Sequence, residues 1–209
     1  MEVKVDRVMT TGHKRAIQSS QMVRDGYSNT TPNTSPSPTP LPLSLYLKAH
    51  EFKGINADGQ CACGLDAEQM KQICPDLNFG HEREAGELAA SSAGQGWFRK
   101  ESIETLEELM ERVKEVLREM RELHKKWANE TILLVTHGHF ITKVVAAVSC
   151  QNQATNFKTI PRNNSLTIID FETKVIPEGK SAGMEVVEMK LKAFNLQVVG
   201  NTETEFCEK

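Results

Sequence analysis

The residues best placed to do chemistry are His137 and Gly138, within T-I-L-L-V-T-H-G-H-F-I-T-K-V-V-A-A-V, Thr131 to Val148. Ile132 to Thr136 are β-branched or apolar and read as a buried strand. Beyond Gly138, Phe140, Val144, Val145 and Val148 recur at helical spacing. A strand that delivers His-Gly into a helix's first turn sets an imidazole beside unpaired backbone N–H groups. The positive end of the helix dipole lies there too, so the place suits an anion such as phosphate. Ligands of open α/β sheets also gather beyond the carboxyl ends of the strands. An imidazole that merely closes a core strand fits this segment equally well.

The other elements must hold that turn in place. Val3 to Met9 reads as a short strand, ending at Thr10-Thr11-Gly12, and His13 to Asp25 as a helix stopped by Gly26. Residues 28–44 are rich in Ser, Thr, Asn and Pro and predict an extended surface loop with no chemistry of its own. A short helix is expected over Ala67 to Ile73, closed by Cys74-Pro75, and 80–96 reads as loop. The clearest element is a long helix from an N-cap at Ser102. Ile103, Leu106, Leu109, Met110, Val113, Val116, Leu117, Met120, Leu123 and Trp127 bury one face at a period near 3.6. Its charges, Glu104, Glu107 and Glu108 at the start and Lys125 and Lys126 at the end, suit the dipole and read as a solvated face. Ser165–Phe171 and Val187–Phe194 predict an antiparallel pair of strands. The tail 201–209 is polar.

At 209 residues the chain is long enough for one domain, expected over 1–200, with a substantial core. A net charge of −3 with mixed signs offers no basic surface for nucleic acid. No apolar run is long enough to span a bilayer, and no secretory signal opens the chain. Five cysteines, odd in number and unevenly spread, read as reduced thiols, so a cytoplasmic protein is expected.

V-M-T-T-G-H-K-R-A-I-Q-S-S, Val8 to Ser20, resembles the strand-turn-helix of the histidine phosphatase superfamily, also called phosphoglycerate-mutase-like and usually written tyTSxLxRAxQTA. Three further resemblances follow in the family's order. A-H-E-F-K-G-I is similar to the segment bearing the family's catalytic acid, K-E-S-I-E-T-L-E-E-L-M-E-R-V to the G-E-S start of its long helix, and V-T-H-G-H-F-I to its second-histidine motif, S-H-G-x-x-x-R. G-L-D-A-E-Q-M-K-Q-I-C-P resembles the short helix after the acid, and I-P-R-N-N-S-L-T-I-I-D-F the family's late strand. Four motifs in one order reinforce each other where each alone is weak.

The resemblance implies an α/β fold: a three-layer α/β/α sandwich with a mostly parallel mixed sheet. It also implies a small phosphorylated substrate, a phosphomonoester, with no cofactor and no metal. A histidine attacks phosphorus in line and forms a phosphohistidine, arginines and a second histidine clamp the non-bridging oxygens, and a carboxylic acid protonates the leaving oxygen. On this sequence Arg15 would clamp phosphate, His137 with Gly138 would donate to it, and Glu51 would be the proton donor.

One motif is missing. The family opens with a strand ending in Arg-His-Gly, whose histidine is the nucleophile, and no Arg-His-Gly occurs in these 209 residues. The chain is therefore expected to lack the family's first strand, as a truncated form with little or no activity. The alternative is a non-catalytic pseudoenzyme that binds a phospholigand or a partner. Cys61, Cys63, Cys74 and His81 could suggest zinc, but the C-x-C spacing is tighter than usual and incidental thiols are expected. His13 and His124 read as surface residues. His50 could lie near the pocket, His139 could face its rim, and Trp97-Phe98 could line a mouth or pack in the core.

Overall fold

Strand β1 (Arg7–Thr10) is the centre of a three-stranded parallel sheet in the order β2-β1-β5, with β2 (Leu43–Leu45) on one side and β5 (Ile132–Val135) on the other. The computed structural model describes residues 4–30, 41–52, 56–57, 60–61, 64–79, 96–97, 104–149, 161–162, 165–176 and 185–197. In register, Thr10 pairs with Leu45 and with Val135, so all three strands finish level at their carboxyl ends. That shared rim is where ligands of parallel sheets collect. The chain divides into two compact units, Met1–Phe140 and Ile141–Lys209.

In the first unit, helix α1 (Lys14–Thr30) follows β1 and packs on β1, β2 and β5. Helix α2 (Ala67–Ile73) packs against α1. Asp66 caps α2 by accepting from the Gln69 amide, while the Gln69 side chain accepts from the Asp66 amide. This reciprocal pairing satisfies two otherwise orphaned donors, so the short helix starts where its sequence says. Val8, Ile17, Leu43, Leu45, Met70, Cys74 and Leu77 form the core beneath the sheet. A two-stranded antiparallel sheet, β3 (Asn56–Ala57) and β4 (Gln60–Cys61), follows the turn after β2.

Helix α3 (Leu106–Lys126) is the expected long helix, with Leu109, Val113, Val116 and Leu117 buried. Its cap is Thr105, paired with Glu108 in a capping box; Ser102 and Ile103 lie outside the described residues. Helix α4 (Gly138–Ser149) begins directly after β5 and His137. In the second unit, β6 (Ser165–Val175) and β7 (Glu185–Gln197) pair antiparallel, as the alternating pattern predicts. Lys190 to Glu172 and Lys174 to Glu188 tie the strands across their polar positions.

Four expectations change. Helix α1 runs through Gly26 to Thr30, because Gly26 keeps a helical backbone where a side chain would meet open space. Glycine in an exposed helix costs only about 1 kcal/mol and need not stop it. The last residues of the supposed loop 28–44 form buried β2, because Leu43 and Leu45 are apolar and pair with β1; residues 31–40 lie outside the described residues. Strand β5 is half-buried rather than buried, consistent with an edge position in its sheet. Finally, among the described residues the strands form a parallel sheet and separate antiparallel pairs instead of one mixed sheet, since β6 and β7 pair with each other.

Candidate functional site

The level strand ends deliver two short segments to one place. After β1 come Thr11, Gly12 and His13, then Arg15 in the first turn of α1; after β5 come Thr136, His137 and Gly138. The Arg15 Nη2 lies 3.2 Å from His137 Nδ1, and Thr11 Oγ1 lies 2.8 Å from His137 Nε2. A guanidinium can only donate, so Nδ1 accepts, the ring proton sits on Nε2, and Nε2–H donates to the Thr11 hydroxyl. His137 is thus neutral and fixed as one tautomer. Burial lowers its pKa from 6.5 to about 3, and the neighbouring basic groups His13, Arg15, His50 and Arg112 push the same way. Burial counts first because the ring is 6 % exposed and a charge there would lose its hydration.

His13, expected on the surface from the sequence, lies in the same cluster. It is buried, its ring centroid 4.3 Å from that of His137 and 5.2 Å from Trp97. The position just before α1 turns its side chain inward rather than along the helix's solvated face. A signal was present: Gly-His directly follows a strand here, as His-Gly does after β5. Trp97 also stands edge-on to His50, at 5.3 Å, so one indole abuts two imidazoles. Gly12 permits this, since a Cβ there would lie 2.5 Å from the Trp97 indole nitrogen. Phe98 lies outside the described residues.

Glu51 comes from the turn after β2. The 3₁₀ turn Leu47–Ala49 ends at His50, whose Nδ1 donates to the Leu47 carbonyl at 2.9 Å. The Glu51 Oε1 accepts from the Phe52 amide at 2.9 Å and lies 3.6 Å from His139 Nδ1. His139 is 55 % exposed, at the rim, two residues beyond His137. So the structure joins Arg15 and His137 directly, starts α4 at Gly138, and brings Glu51 to the same segment through His139. Sequence reasoning also missed Glu104 and Arg112. Their charges were assigned to a solvated helix face, yet Glu104 is 4 % exposed and paired with Arg112.

Chemically, the cluster offers a guanidinium, two imidazoles and a hydroxyl at the end of a parallel sheet, with a carboxylate nearby. That set matches an oxyanion better than a cation. Among the described residues no group of His, Cys, Asp and Glu is arranged to hold a metal. Cys74 is buried and donates to Asp76 at 3.2 Å, while Cys63 and His81 of the zinc alternative lie outside the described residues. Among the described residues no helix is long and apolar enough to cross a membrane.

Residues 77–176 match the family model of the histidine phosphatase superfamily, branch 1. Over this stretch the chain is similar to the histidine phosphatase superfamily. The stretch takes in α3, β5, His137 and Gly138, so the superfamily resemblance read from V-T-H-G-H-F-I and the long helix holds. Arg15 and Glu51 precede the histidine phosphatase match. Comparison with curated proteins and with solved structures gives no match.

Proposed function

We propose that this chain binds the phosphoryl group of small phosphomonoesters in the pocket formed by Thr11, His13, Arg15 and His137, with Glu51 as proton donor to the bridging oxygen. The observation that carries this is the meeting of Arg15 with His137, two residues 122 positions apart. An arriving phosphate dianion offers the guanidinium a better acceptor than a neutral imidazole nitrogen, because charge-assisted bonds are shorter and stronger. Arg15 then turns from Nδ1 to the anion, and His137, now beside negative charge, takes a proton and becomes a second donor. The same groups would stabilise the charge that spreads over the non-bridging oxygens during transfer.

With no Arg-His-Gly in the sequence, the chain binds phosphate esters and turns them over slowly or not at all. Calorimetric titration with inorganic phosphate tests the reading. Wild type should bind, and Arg15→Ala and His137→Ala should each weaken binding about tenfold to a hundredfold, the worth of one charged hydrogen bond. Equal binding by all three proteins would remove the pocket from the account. Rapid hydrolysis of p-nitrophenyl phosphate, lost on His137→Ala, would instead restore a working enzyme.

The match to histidine phosphatases over 77–176 supports this substrate class. A purely structural use of the cluster explains less. A core histidine is stabilised by neutral partners, whereas here four cationic or potentially cationic groups, His13, Arg15, His50 and Arg112, act on His137. Such crowding is unfavourable until an anion arrives.

A further inference from the structure

We propose that Arg112, oriented by Glu104, is a positioning residue that fixes the turn carrying Glu51. This rests on the reading of Glu51 as the proton donor of the phosphate pocket. The Arg112 guanidinium divides its donors between one carboxylate and two backbone carbonyls. Nε and Nη2 donate to the two carboxylate oxygens of Glu104, at 2.8 and 2.7 Å. Nη1 donates to the carbonyls of Lys48 and His50, at 2.7 and 3.0 Å. The carbonyl between them, on Ala49, accepts from Thr136 Oγ1. Three consecutive carbonyls immediately before Glu51 are therefore held from outside the turn.

The partners matter for the site. Thr136 is the residue before His137, so one hydrogen bond ties the Glu51 turn to the end of β5. Arg112 comes from α3, with its guanidinium carbon 5.1 Å from the Phe140 ring centroid. Its side chain is 11 % exposed. A buried ion pair of this kind yields little net stability, because desolvation offsets the attraction. What it does supply is direction: a planar fork with one face on a carboxylate leaves the remaining N–H groups aimed at fixed points. Lysine at this position could keep the charge but not span two carbonyls and a carboxylate together. Lys48 adds a second tether, its ammonium on Glu115 and Glu119 of α3.

The test uses Arg112→Lys, which retains charge and most of the volume. Amide hydrogen exchange should accelerate about tenfold or more at His50 and Phe52, with α3 amides unchanged, as expected of local rather than global opening. Glu104→Gln, which keeps an acceptor for one N–H, should give the same pattern at smaller amplitude. In parallel, orthovanadate affinity is measured for wild type, Arg112→Lys, Glu51→Gln and the double variant. A positioning residue predicts that the double variant binds no more weakly than Glu51→Gln alone. Additive losses, or unchanged exchange at His50 and Phe52, would overturn the proposal. If wild type binds vanadate no better than Arg15→Ala, the phosphate reading itself fails, and the exchange measurement alone then decides whether Arg112 holds the turn.

Discussion

Lowering the pH from 7.5 to 5.0 should destabilise this protein, and His137 should set much of the size of the effect. In the unfolded chain its imidazole titrates near 6.5; in the folded chain it resists protonation down to about pH 3. Between those values the unfolded state binds more protons than the native one. Stability is therefore full above about pH 6.5 and is lost as pH falls through the window. At pH 5.0, one and a half units below the ordinary value, the loss is about 2 kcal/mol at 1.4 kcal/mol per unit. The assay is urea unfolding of wild type and His137→Gln at both pH values. Glutamine leaves an acceptor for Arg15 and does not titrate, and the other five histidines are common to both proteins. Wild type should lose about 2 kcal/mol more than the variant on acidification. Equal losses would show that His137 is not held neutral, and a larger loss in the variant would show that it is charged in the native state.

Other outcomes follow from packing and caps. Leu109→Ala, at a fully buried position of α3, should cost about 3 kcal/mol in urea unfolding through the cavity it leaves. Thr105→Ala breaks the capping box with Glu108 and should cost about 1 kcal/mol, measured the same way. Gly12→Ala forces the Trp97 ring from its place between His13 and His50; it should cost about 1–3 kcal/mol and shift the Trp97 indole proton resonance. An unmoved indole signal would mean that the ring does not lie over Gly12.

What the sequence made legible followed from strong periodicity and local chemistry. The α3 apolar stripe, the short helix α2 before Cys74-Pro75 and the alternation in β7 are each written in contiguous residues, and these elements formed near where expected. Arg15 and His137 could be paired beforehand only because their motifs resembled a family; nothing in their spacing fixes the parallel register of β1 and β5 that brings them together. Strand β2 was hidden because three buried residues beside a proline-rich run are too few to show a period. His13 was misjudged because residues at a helix's start do not share the direction of its solvated face. Glu104 and Arg112 were misjudged for a related reason: a charge on a helix reads as exposed until its tertiary partner is known. For Arg112 those partners came from the turn after β2, more than fifty residues away, and Glu104 is buried against Arg112 itself.

The convergence of Arg15 and His137 on an oxyanion is tested most directly by nitrogen NMR of the His137 ring during a titration with inorganic phosphate. Without phosphate, Nδ1 should show the signal of an unprotonated nitrogen accepting a hydrogen bond, and Nε2 that of a protonated one. Saturating phosphate should move Nδ1 to a protonated position in wild type and leave it unmoved in Arg15→Ala. Phosphate that binds without altering either nitrogen, or that alters them identically when Arg15 is absent, would contradict the account.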